Sequence, residues 1–116
     1  MEDDVHIFAL RGEIDYHFSP VLREMLQAKL KARCPSLVLD FSEVEYIDSR
    51  GIATIIEYLR DSATHGGRFC LAALNPEVKH IIDVVRLELV MPIFDTVADA
   101  VAGMKKRAET SLLVRQ

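Results

Sequence analysis

The chain has 116 residues, half of them apolar and 28% charged, a length and balance that fit one domain with a real core and exclude intrinsic disorder. Its 14 basic and 18 acidic residues leave a net charge of −4 at pH 7, which speaks against nucleic acid as a partner because phosphate neutralisation needs a basic face. No apolar run approaches the roughly 20 residues of a transmembrane helix, and Met1-Glu2-Asp3-Asp4 is acidic where a signal peptide is basic, so a cytoplasmic protein without membrane insertion is expected.

Residues 5–11 read as a strand, and Ser19-Pro20 offers an N-cap followed by proline at the first helical position. The helix predicted from there to about residue 33 places Leu22, Met25, Leu26 and Leu30 on one face. Pro35 stops it, and Leu37-Val38-Leu39 is an apolar run short enough for a buried strand. A polar link is expected over residues 42–48. The next helix carries Ile52, Ile55, Ile56 and Leu59 along one stripe and ends at Gly66-Gly67.

Residues 68–74 read as the third strand, and Asn75-Pro76 repeats the cap-plus-proline signal before a helix burying Val78, Ile81, Ile82 and Val85. A short strand near residues 92–94 follows. Thr96 with Asp99 three residues later then opens a helix burying Val97, Ala100, Val101 and Met104. The order βαβαβαβα predicts an α/β fold: a four-stranded, mostly parallel or mixed sheet, packed with four or five helices and joined by right-handed crossovers. The domain is expected over residues 1–104. Residues 105–116 form an extension that continues the helix, frays as a tail, or adds Ser111-Leu112-Leu113-Val114 as a strand.

Few residues suggest bond-making chemistry. Cys34 and Cys70 lack CxxC spacing and read as reduced structural thiols, while His6, His17, His65 and His80 are scattered, so no metal site is expected. There is no Walker A or GxGxxG loop to hold a cofactor. Ser49 lacks a nucleophile elbow because Ile47 stands where the first glycine of G-x-S-x-G belongs. The chain reads as a binding module and not an enzyme.

In open α/β sheets the functional edge lies at the carboxyl ends of the strands. Two acidic turns are expected there, Gly12-Glu13-Ile14-Asp15 after the first strand and Asp48-Ser49-Arg50-Gly51 before the second helix. A hydroxyl at a helix N-terminus can cap a backbone N–H, and a phosphate placed there can be held by several. Both readings of Ser49 stand at this level.

The GEID segment together with LVLDFSEVEYIDSRG, residues 37–51, resembles the STAS domain, the family named for sulphate transporters and anti-sigma factor antagonists; the matching positions are Gly12, Glu13, Ile14, Asp15, Asp40, Asp48, Ser49 and Gly51. The resemblance implies a regulatory serine at the start of the second helix. In stand-alone bacterial members that serine is phosphorylated by an anti-sigma factor that is also a GHKL-type serine kinase. The unphosphorylated protein binds the kinase and frees the sigma factor, and a PP2C-type phosphatase resets the switch. Carried over, Ser49 is the phosphoacceptor, and Glu13, Asp15, Asp48, Ser49, Arg50, Gly51 and Ile52 form the partner-binding set.

Two features depart from the family pattern. Arg50 stands where many phosphorylatable members have a small residue, and only four residues precede Val5 where relatives often have a further strand. The first strand would then be an edge, open to homodimer pairing or to the residues around Leu112–Val114. The competing readings are a STAS subunit that docks without phosphorylation, as in a lipid-transport ABC complex or a signalling scaffold, and a receiver domain with Asp40 as its acyl-phosphate site. The latter lacks an acidic pair on the first strand and a lysine ending the last.

Overall fold

The computed structural model describes residues 5–105. Strand β1 (His6–Ile14) is followed by α1 (Ser19–Lys31), β2 (Ser36–Ile47), α2 (Ser49–Ala63), β3 (Arg68–Ala72), α3 (Pro76–Val84), a 3₁₀ turn at Leu87–Leu89 and β4 (Ile93–Phe94). A further helix, α4, occupies residues 97–105. The sheet order is β1-β2-β3-β4, and each neighbouring pair is parallel. The predicted α/β class and element order are therefore observed, with the sheet wholly parallel among the described residues.

A parallel sheet must bury both faces, and period-two alternation along β2 sorts its side chains accordingly. Leu37, Leu39 and Phe41 enter the larger core with Leu22 and Leu26 of α1, Ile52 and Ile55 of α2, and Val78 and Ile82 of α3. Val38 points the other way, joining Cys70, Ala72, Ala100 and Met104 under α4. Among the described residues, three helices thus cover one face and a single helix the other. No helix among the described residues is long and apolar enough to cross a membrane.

Several boundaries differ from expectation. The expected strand over residues 5–11 runs on to Ile14, and the link expected over 42–48 is strand as far as Ile47. The cause is a pair of irregularities between β1 and β2. Pairing passes from Ala9↔Asp40 to Arg11↔Glu43, and from Gly12↔Val44 to Glu13↔Tyr46, so β2 carries an extra residue at each step, as in a β-bulge. Asp40 Oδ1 accepts the Ser42 N–H at 2.9 Å and satisfies an amide at the first of them. Gly12 takes φ +83°, open to glycine at little cost, beside the second. Pairing then resumes, with Ile14 and Ile47 fully buried opposite one another.

Ile56 and Val85, both expected inside, are exposed, whereas Tyr58 is buried. Its ring meets Phe69 edge-on at 4.8 Å and joins α2 to β3. The hydroxyl has no hydrogen-bond partner among the described residues. Desolvation by burial, with Cys34 second, pushes the Tyr58 pKa up to about 12. The folded state therefore holds this proton more tightly than the unfolded chain, whose tyrosines titrate near 10. That advantage is intact below about pH 10 and is lost as pH rises toward 12. Tyr58→Phe is expected to hold or raise stability at pH 7 by about 1 kcal/mol, and to flatten the alkaline limb of a chemical-denaturation series between about pH 10 and 12.

Cys34 and Cys70 are both buried. Residues 106–116, and with them the three readings of most of the extension, lie outside the described residues.

Candidate functional site

The two motif segments meet at the carboxyl end of the sheet. Parallel pairing of β1 with β2 brings Ile14 beside Ile47, so both chains leave the sheet side by side. The Asp48 N–H donates to the Ile14 carbonyl at 3.1 Å. One turn into α2, Gly51 sits so close to β1 that a Cβ there would lie 2.8 Å from the Ile14 carbonyl oxygen and 2.8 Å from its Cγ2. Ile14 of GEID and Gly51 of DSRG are thus two halves of one contact, in which only hydrogen fits between helix and strand.

Capping is assigned differently from the sequence expectation. Asp48, with extended backbone, is the N-cap of α2, and its Oδ1 accepts the N–H groups of Arg50 and Gly51 at 2.9 and 3.0 Å. Ser49 is the first helical residue, exposed, and its hydroxyl makes no hydrogen bond among the described residues. The reading of Ser49 as N-cap is corrected, and so is the expectation that several N–H groups there await a phosphate. Asp48 already holds two of them.

The same substitution of roles occurs in the first loop. Phe18, not Ser19, is the N-cap of α1 and gives no side-chain bond. Instead Asp15 Oδ1 accepts the N–H groups of His17 and Phe18 at 3.0 and 3.2 Å. Ser19 is buried, its hydroxyl directed at the Tyr16 carbonyl at 3.5 Å. Asp15 and Asp48 are therefore turned onto their own backbone. Replacing Asp48 by Ala is expected to cost about 0.5–2 kcal/mol in thermal unfolding, with Asp48→Asn retaining most of it, as expected for a capping acceptor.

Of the sequence-predicted set, Glu13, Ser49 and Arg50 present exposed side chains, Asp15 and Asp48 are intermediate, and Gly51 and Ile52 are buried beneath them. The last two shape the site from below. Two aromatic residues escaped the sequence reading: Tyr16, 56% exposed in the loop after β1, and Tyr46, 45% exposed and paired with Glu13 across the strands. Their type was the available signal, since tyrosine in a surface loop contributes heavily to interfaces. An open groove of about 690 Å³ continues from Arg50 between α1 and α2, lined in part by Pro20, Val21, Gln27, Ala53 and Thr54. Among the described residues no group of three or more His, Cys, Asp and Glu is placed to hold a metal ion.

The start of α2 thus carries an exposed serine hydroxyl directly above a close contact between helix and strand. The chain belongs to the STAS domain family, whose pattern matches residues 2–100. It is 29% identical over 102 residues to the anti-sigma F factor antagonist of Paenibacillus polymyxa, covering 87% of each chain. With the anti-sigma-B factor antagonist of Bacillus subtilis it shares 28% identity over 92 residues, 79% of this chain and 83% of the relative. The crystal structure of an anti-sigma factor antagonist from Mycobacterium paratuberculosis superposes with a TM-score of 0.82 at 27% identity, covering 90% of this chain and 89% of the other.

Proposed function

We propose that this protein is an anti-sigma factor antagonist switched by phosphorylation of Ser49. Unphosphorylated, it binds an anti-sigma factor of the GHKL serine-kinase type and so releases a sigma factor; phosphorylated, it lets the kinase go, and a PP2C-type phosphatase restores it. The observation that carries this reading is the division of labour at the start of α2. Asp48 performs the capping, so the Ser49 hydroxyl is exposed, and modifying it removes no hydrogen bond among the described residues. Homology to named antagonists supports the same role.

The docking surface in this reading is Glu13, Tyr16, Tyr46, Ser49 and Arg50, with the α1–α2 groove beside it. A phosphate on Ser49 brings about −1.5 to −2 charges next to the Asp48 carboxylate, while the positive end of the α2 dipole tolerates them. The fold survives and the surface becomes more negative. Arg50 is the nearest cation in sequence, positioned to meet either the phosphate or an acidic group of the partner.

Incubation with a GHKL-type kinase and ATP, followed by mass mapping, is expected to add one acid-stable phosphate at Ser49 in the wild type and none in Ser49→Ala. A tight complex with the kinase that never yields phosphoserine would overturn the switch and leave a docking subunit. Acid-labile phosphate at Asp40 would overturn the family mechanism as carried over to this chain.

A further inference from the structure

The apolar side chains left at the surface are not spread evenly. Nine large ones are exposed among the described residues, and four of them, Val84 at 66%, Val85 at 47%, Leu89 at 70% and Val90 at 59%, fall within seven consecutive positions. Single exposed apolar residues are ordinary, whereas a contiguous group marks an interaction surface. Short hydrogen bonds hold this group together. The N–H groups of Arg86, Leu89 and Val90 donate to the carbonyls of Asp83, Arg86 and Leu87 at 3.0, 3.1 and 3.0 Å, folding the end of α3 and the 3₁₀ turn into one knuckle. Leu87 and Met91 are buried and anchor it in the core.

We propose that this knuckle is a self-association surface whose occupant is the same knuckle of a second copy, related by a twofold axis. Shape, charge and area favour that occupant. Beside the knuckle an open groove of about 360 Å³ is lined in part by Leu74, Met91, Pro92, Ile93 and Phe94. A convex apolar patch next to a concave one lets each copy fill the other, as an isologous interface requires. Arg86 and Glu88 are both exposed, and neither makes an ion pair among the described residues. Across a twofold axis, Arg86 of each copy can meet Glu88 of the other, so the two opposite charges are matched twice. Lys79 and Asp83 at the groove rim already pair at 3.6 Å. The patch is therefore balanced in charge and complementary to itself, and a partner of one charge sign would leave half of it unmatched. Arg86 also takes φ 60°, the left-handed conformation in which glycine ends a helix without strain; a long cation kept there fits a use outside the fold. The four side chains expose on the order of 400 Å², and the groove walls extend this toward the ~800 Å² that each partner contributes to a standard interface.

The placement leaves the proposed switch untouched. Asn75 caps α3 near the carboxyl edge of the sheet, its Nδ2 donating to the Val44 carbonyl at 2.9 Å, and the knuckle is at the other end of that helix, away from Ser49. Pairing there does not depend on how Ser49 is used.

The test is sedimentation equilibrium of the full chain, from dilute to millimolar protein. The wild type is expected to pass from monomer to dimer as concentration rises. Arg86→Glu and Glu88→Arg are each expected to weaken the dimer at least tenfold, because each sets like charges opposite one another. An equimolar mixture of the two variants is expected to regain a dimer with one copy of each, since both crossed pairs are then opposite in sign. A wild type that stays monomeric throughout would overturn the proposal, and is the outcome if another segment of the chain or a different protein covers the knuckle. Dimers indifferent to both substitutions would sink it as well, because a different surface would then be pairing, and so would a mixture no tighter than the separate variants. Should a charge variant lose its far-UV dichroism, Leu89→Asn is read in its place: a dimer at least tenfold weaker is expected, and an unchanged one rejects the knuckle as the interface.

Discussion

Ser49→Asp is expected to bind the anti-sigma kinase on the order of 100-fold more weakly than the wild type by calorimetry, with Ser49→Ala within about threefold of it. The difference follows from where the charge lands. Ser49 is the first residue of α2, and the Asp48 carboxylate already lies along the same turn, bonded to Arg50 and Gly51. A second anion there is tolerated within the domain by the helix dipole but must be desolvated against a partner. A penalty of about 3 kcal/mol is enough for the stated loss, since each 1.4 kcal/mol is tenfold. Circular dichroism and thermal midpoint are expected to change little, because the Ser49 hydroxyl makes no hydrogen bond among the described residues. Wild-type affinity in Ser49→Asp, combined with wild-type affinity in the phosphorylated protein, would remove the switch.

The largest stability effect is expected at Gly51. An added methyl would stand 2.8 Å from a backbone oxygen and 2.9 Å from Ile47 Cγ1. The former belongs to the carbonyl that accepts the Asp48 N–H, so relief requires moving α2 away from β1. Overpacking of this kind costs about 1–3 kcal/mol. For a domain near this size each kcal/mol shifts the melting midpoint by roughly 4–8 °C, so Gly51→Ala is expected to melt at least several degrees lower. Gly12→Ala tests a different mechanism: nothing lies within 4 Å of its added Cβ, but φ is +83°, so its cost is backbone strain. A Gly51→Ala protein as stable as the wild type would show that the helix and strand are not in the stated contact.

The fold was legible in this sequence because its helices announce themselves. Asn75 and Thr96 cap as their spacing predicts, accepting the N–H groups of Val78 and Asp99, and Pro35 and Gly66 fall where helices have ended. The second half of β2 was illegible for a definite reason. Phe41, Val44 and Ile47 are all buried in one core, yet they stand three residues apart, because an extra residue enters β2 at each irregularity. Period two is broken, and polar Ser42, Glu43 and Glu45 between them look like a loop. The site was half legible. The motif located Ser49, but serine and aspartate are equally good caps on paper, and only the geometry assigns the role to Asp48. Tyr16 and Tyr46 follow no spacing rule and became visible through their exposure.

The contact between Ile14, Asp48 and Gly51 bears on timing as well as shape. One carbonyl ties both loops together and helix and strand are in close contact, so a surface formed before its partner arrives is expected. Partners that meet preformed surfaces associate at roughly 10⁵–10⁷ M⁻¹s⁻¹ without a conformational delay. In the proposed switch, the tempo of the response would then belong to the turnover of the kinase and phosphatase, with this domain acting as a passive token that they mark and clear.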